Sequence, residues 1–270
     1  MTSTGNPAAP AAAVRLAATI LLLREGPDGM EVFMVVRHQQ IDFASGALVF
    51  PGGKLAPGDT DPRVLARCRG AEGLSPEQVA LRVGAIREAF EECGVLLASD
   101  GSTHTPIAPA RLAALGERYR QPLDRGELGV ADMLQAEDLF LNCDELVPFA
   151  HWVTPSFMPK RFDTYFYLAV APSEQVALHD GRETVDSVWI RPADVLTQAA
   201  DGRRTVVPAT LLNVEKLGFS ISTEAALAAA RSAPVVTVQP QVIQRPEGMW
   251  LSIPAEAGYA VTEFAAPAAR

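Results

Sequence analysis

Residues 14–23 form an almost unbroken apolar run, the pattern of a buried strand. A Gly26-Pro27-Asp28-Gly29 turn follows, and residues 31–37 carry a second strand, so the two predict a hairpin at the centre or edge of a sheet. Residues 47–50 predict a short strand ending at Pro51-Gly52-Gly53, where glycine lets the backbone turn sharply and expose carbonyls. From Ser75 the period changes. Val79, Val83, Ile86, Phe90 and Cys93 recur at the 4-3-4-3 spacing of a helical stripe. Ser75 is a natural N-cap, Pro76 a first helical residue, Gln78 the far side of a capping box, and Gly94 a C-terminal stop. Glu88, Glu91 and Glu92 centre nearly opposite the stripe, so the acidic face is expected to look outward.

The remaining pattern predicts a helical turn or two in 62–69, and helices at 107–119 and 129–141. Residues 100–145 then form a helical cap. Strands are expected at 162–171 and 186–190, helices at 192–200 and 208–217, and a strand pair at 235–242 and 248–253. There is no internal repeat. Residues 1–13, rich in Ala and Pro, predict disorder. The order suits an α/β protein with a mixed sheet between helices. Residues 14–200 read as the domain, with insertions at about 57–75 and 100–145. Residues 201–270 read as a C-terminal extension packed on it.

Composition narrows the partners. With 48% hydrophobic and 20% charged residues the chain is globular, and its net charge of −9 argues against a nucleic-acid or anionic-membrane surface. A phosphate ligand must then be held locally, by a metal or a few basic side chains. No run reaches membrane-spanning length. Cys68, Cys93 and Cys143 include no Cys-x-x-Cys pair, which fits a reducing cytoplasm rather than a zinc ribbon or disulfide frame. The C-terminal Ala-Ala-Arg does not read as a peroxisomal address. His38, His104, His151 and His179 are isolated and are not read as ligands.

Three carboxylates on one helix face repel one another, and a cation must offset that cost. Oxygen-only ligation suits a hard ion, Mg2+ or Mn2+. A solvated acidic face relieved by Arg87 is the alternative.

Phe50-Pro51-Gly52-Gly53-Lys54, followed by Arg87-Glu88-Ala89-Phe90-Glu91-Glu92-Cys93-Gly94-Val95, resembles the Nudix hydrolase signature, G-x5-E-x7-R-E-U-x-E-E-x-G-U. Asp59 stands where the pattern has its first Glu, and residues 60–86 replace the spacer of seven. The resemblance implies an α/β/α sandwich over about 14–200 and hydrolysis of a diphosphate linkage. It implies Glu88, Glu91 and Glu92 as metal ligands, the Gly53 carbonyl as another, and Arg87 as the residue that orients them. Asp59 is either the shortened signature acid or a turn residue. Glu183, in the loop before the strand with Trp189, is a candidate base or further ligand, or a solvated loop acid. Lys160 and Arg161 either hold a substrate phosphate or form a surface pair. Arg37, Gly46 and the Phe-Pro-Gly-Gly run match part of the coenzyme A diphosphatase motif, whereas His38 and Asp42 depart from it. The expected substrate is a small nucleoside diphosphate derivative, with coenzyme A or acyl-coenzyme A first. ADP-ribose, NADH and dinucleoside polyphosphates stay open. So does a non-catalytic Nudix-fold binding or regulatory module, although such a module would be expected to lose helix glutamates. The sequence is compatible with a homodimer.

Overall fold

The computed structural model describes residues 13–37, 46–175, 177 and 184–266. Along the chain, β1 (Val14–Gly26) and β2 (Gly29–Arg37) form the expected hairpin, then come β3 (Leu48–Val49) and β4 (Gly52–Lys54). A 3-10 turn, Pro57–Thr60, leads to α1 (Pro62–Leu65), β5 (Cys68–Arg69) and the long helix α2 (Pro76–Cys93). Next are β6 (Ala98–Asp100), α3 (Pro109–Asp124), α4 (Val130–Ala136), β7 (Leu139–Asn142), β8 (Val147–Val153), β9 (Arg161–Val170) and β10 (Thr184–Ile190). Helices α5 (Pro192–Ala200), α6 (Pro208–Leu217) and α7 (Thr223–Ser232) precede β11 (Thr237–Val238), β12 (Gln241–Arg245), β13 (Gly248–Ser252) and β14 (Glu263–Ala265).

The main sheet has eight strands in the order β10-β2-β1-β9-β8-β11, with β3 on β2 and β4 on β1. It is mixed: β1 runs antiparallel to β2 and parallel to β9. Period-two alternation along β1 feeds two cores. Ala18, Ile20 and Leu22 pack with α2, α3 and α4 on one face, and Leu21 and Leu23 with α5, α6 and α7 on the other. Ile20 to Leu23 are all fully buried, so each contributes roughly 1.5–3 kcal/mol of transfer free energy. This is an α/β/α sandwich. Residues after 200 supply α6 and α7 to the second core and β11 to the sheet edge, where Val238 lies beside Trp152.

Several elements depart from the pattern. The predicted helix 129–141 splits into α4 and β7, because Leu139–Asn142 pairs with β6 and β5 in a three-stranded sheet. The block 100–145 is therefore partly β. Helix α3 does not stop at Tyr119 but runs through Pro122, which near the helix end removes only one late hydrogen bond. β8, α7 and β14 were not expected. The predicted strand pair at the C-terminus is a three-stranded antiparallel sheet, β12-β13-β14, with β11 given to the main sheet. The expectation of disorder at 1–13 lies, but for Ala13, outside the described residues.

Candidate active site

Local chemistry starts and stops α2 as the sequence predicts. Ser75 Oγ accepts from Gln78 N at 3.2 Å, Gln78 Oε1 accepts from Ser75 N at 2.9 Å, and Gly94 takes the left-handed conformation at φ 72°. The stripe Val79, Val83, Ile86, Phe90 and Cys93 is buried, and α2 packs on β1 and β4. β4 lies antiparallel to β1, with Gly53 opposite Ala18 and Gly52 opposite Thr19. That register brings the glycine turn against the acidic face. A Cβ on Gly53 would lie 2.4 Å from Glu88 Oε1, and one on Gly52 2.5 Å from the Ala18 carbonyl. Position 52 has no room for a side chain, and a side chain at 53 would displace the Glu88 carboxylate.

The acidic face is consequently not outward. Asp59 is 0% exposed, Glu92 8%, and the side chains of Glu88 and Glu91 only 13% and 9%. The expectation of an outward face is corrected: periodicity describes the helix alone, while β4 and the Pro57–Thr60 turn fold over it.

Arg87 organises the cluster. Its Nε and Nη2 donate to Asp59 at 2.8 and 3.0 Å, Nη2 also to the Lys54 carbonyl at 3.0 Å, and Nη1 to Glu88 and Glu91 at 2.9 Å each. The whole guanidinium fork is engaged. Burial alone would lower its pKa. The hydrogen bond to Asp59 and the charges of Glu88, Asp59 and Glu91 outweigh that and hold it firmly protonated. Asp59 also accepts from Ala56 N at 2.8 Å. It fits against the helix because residue 84 is glycine; a Cβ there would be 3.2 Å from Asp59 Oδ2. The sequence left Asp59 as either the shortened signature acid or a turn residue; in the structure it is a buried partner of Arg87.

The carboxylates are unequal. Glu92 Oε2 accepts from Gly52 N at 3.0 Å. Glu91 Oε1 is buried with no hydrogen-bond partner. Burial pushes the Glu91 pKa up to about 7; Arg87 pulls against this and Glu88 adds to it. The Arg87–Glu91 contact is thus lopsided, with a secure cation beside a frustrated anion. The folded-state value exceeds the ordinary 4.5, so between the two the native state binds more protons than the unfolded one. Metal-free protein is expected to lose stability as pH rises from about 4.5 to about 7, and Glu91→Gln to flatten that slope. Urea unfolding across this range is the check, and an unchanged slope in the variant would refute it.

Among the described residues no three Asp, Glu, His or Cys side chains form a ready-made metal cage. Arg87 Nη1 bonds both Glu88 and Glu91, and Gly52 holds Glu92. The donor set still fits a hard divalent ion: oxygen donors only, one of them buried and orphaned.

The other described candidates come from strands β2 and β9 and from the loop before β9. Arg37 ends β2 opposite Thr184, on the same sheet face as Phe33 and Val35 by alternation. Arg161 Nε donates to the Thr154 carbonyl at 3.2 Å, and Arg161 sits opposite Val14. That is four strand residues, roughly 13 Å, from Ala18 and the glycine turn. Lys160 is exposed. Glu183, His38 and Asp42 lie outside the described residues. Sequence reasoning missed Gly84, the Lys54 carbonyl and Arg120, whose contacts depend on the fold. No local signal marks them.

A mixed sheet between helical layers, with a glycine turn against an arginine-clamped set of helical carboxylates, defines an α/β/α protein with an oxygen-rich acidic site. Residues 57–217 match the family model described as the NUDT19 Nudix domain, and the chain belongs to this Nudix hydrolase family. It is 23% identical over 225 residues to acyl-coenzyme A diphosphatase NUDT19 of Xenopus laevis, covering 69% of this chain and 59% of the relative. It is 27% identical over 191 residues to putative nudix hydrolase 7 of Caenorhabditis elegans, covering 69% and 55%. The chain thus spans a little over half the length of these curated relatives. The solved NUDIX hydrolase from Alicyclobacillus acidocaldarius is 29% identical with a TM-score of 0.65, covering 80% of this chain and 96% of that one.

Proposed function

We propose that this chain is a divalent-metal-dependent hydrolase cleaving the diphosphate linkage of a nucleoside diphosphate derivative, with coenzyme A or acyl-coenzyme A as substrate. The observation that carries the reading is the buried, partnerless Oε1 of Glu91 within the carboxylate cluster. A buried carboxylate oxygen is costly to leave without a partner, and Mg2+ or Mn2+ held by Glu88, Glu91, Glu92 and the Gly53 carbonyl would satisfy it. A bound ion supplies charge neutralisation at phosphate oxygens and a water acidic enough to attack at neutral pH. Arg87 keeps two of the carboxylates in place through Nη1, and Asp59 keeps Arg87 in place. Glycine at 52 and 53 lets backbone approach the site closely.

The substrate assignment rests on the partial coenzyme A motif, on the relatives' names, and on a cavity of about 460 Å³ on the α2 face of the sheet. Arg24, Phe33, Gln175, Ser187 and Trp189 line it, and Gln175 is bonded both ways to the Leu96 backbone just beyond α2. It could take part of a substrate remote from the reacting phosphorus. The free cysteines fit a reducing compartment, and we place the protein in the cytoplasm.

Coenzyme A, acyl-coenzyme A, ADP-ribose, NADH and diadenosine polyphosphates, each with Mg2+ and Mn2+, form the testing panel. Coenzyme A is expected to give 3′,5′-ADP and 4′-phosphopantetheine. Arg37→Ala should raise KM more than it lowers kcat, because a contact remote from the reacting centre contributes mostly uniform binding. Efficient turnover of ADP-ribose or dinucleotides with none of coenzyme A would end the assignment. An inert panel with intact ligand binding would favour a binding module.

A further inference from the structure

The signature accounts for α2 and the glycine turn but gives no role to the helical insert. α3 packs on α2, and its Arg120 reaches the C-terminal turn of that helix. At this turn Gly94 N donates to Phe90 O at 2.9 Å and Val95 N to Ala89 O at 3.3 Å. This is an αL-type ending, with Gly94 N on Phe90 O, and Val95 N, which a continuing helix would direct to Glu91 O, is used elsewhere. Arg120 fills that gap: its Nη2 and Nε donate to Glu91 O at 3.0 and 3.3 Å. The guanidinium also lies against Gly94, where a Cβ would be 3.2 Å from Nη1.

Glu91 is therefore held at both ends by guanidinium groups from different elements. Arg87 of its own helix takes a side-chain oxygen, and Arg120 of the insert takes the backbone carbonyl. We propose that Arg120 is a positioning residue through which the insert fixes the last turn of α2 and so sets where Glu91 and Glu92 point. A cation at the negative end of the helix is favourable in itself, and its forked donors also fix geometry, which a point charge does not. This rests on the reading of Glu88, Glu91 and Glu92 as metal ligands.

The test is Mn2+ binding to the full chain by titration calorimetry, with melting temperature and steady-state kinetics alongside. Arg120→Met keeps the packing stem and removes the donors. It is expected to weaken Mn2+ binding and to lower kcat about ten-fold each, with KM little changed. Arg120→Lys, which keeps the charge but not the fork, is expected to recover only part of the Mn2+ affinity and to stay below wild type. If Arg120→Met is too unstable to assay, Arg120→Gln takes its place with the same ordering expected. Wild-type Mn2+ affinity and kcat in Arg120→Met overturn this inference alone. Losses that merely track the unfolded fraction overturn it too. A wild-type protein that binds no Mn2+ overturns the metal reading and this inference with it.

Discussion

Glu91→Gln and Glu92→Gln are each expected to lower kcat by about 10²-fold or more, because a ligand is lost with almost no change in volume. Their stabilities should differ. Glu92 accepts a hydrogen bond from Gly52 N, and the glutamine carbonyl can accept the same bond, so the fold is kept. Glu91 is a buried anion with an unpartnered oxygen, beside Glu88. Neutralising it removes desolvation and repulsion. In metal-free buffer Glu91→Gln should melt no lower than wild type, and above it near neutral pH. Loss of activity with gain of stability distinguishes a functional carboxylate from a structural one. Added Mg2+ should raise the melting temperature of wild type and not that of Glu88→Gln/Glu92→Gln. Wild-type rates in either single variant at limiting Mg2+ would refute the ligand assignment.

What was legible in the sequence was what is decided locally. The caps of α2 are made by residues three or four apart, so Ser75, Gln78 and Gly94 announce them. Arg87 and the glutamates share a helix, and their spacing alone places them together. Asp59 comes from a different element and is joined to Arg87 only by tertiary structure, hence its ambiguity on the page. The inward burial of the acidic face depends on β4 and the Pro57–Thr60 turn, which no helical period contains. Leu139–Asn142 is a strand because β5 and β6 pair with it, overriding a helical reading of the segment. Helix α7 did carry a signal, since Ser222 caps it through Ala225 N at 3.2 Å. The Ala-rich run after Ser222 has too weak a stripe to stand out.

Asp59→Ala should be among the most destabilising single changes in the described chain. It strips two hydrogen bonds from the buried Arg87 and one from Ala56 N, leaving the guanidinium Nε without an acceptor and only Glu88, Glu91 and the Lys54 carbonyl as partners. Breaking a buried pair by removing one partner costs about 3–5 kcal/mol, a fall in melting temperature of roughly 6–20 °C for a domain of this size. Activity should fall further than the unfolded fraction explains, because Arg87 also holds Glu88 and Glu91. Asp59→Glu separates charge from fit. It restores the residue type of the signature but adds a methylene where Oδ2 already lies close to Gly84. Overpacking of this kind costs about 1–3 kcal/mol, so Asp59→Glu should lie between Asp59→Ala and wild type in both stability and rate. Were Asp59 an ordinary turn residue, Asp59→Ala would melt within about 2 °C of wild type, as surface substitutions do, and retain its rate. Either result in the purified variant would remove Asp59, and with it the clamp on Arg87, from the account of the site.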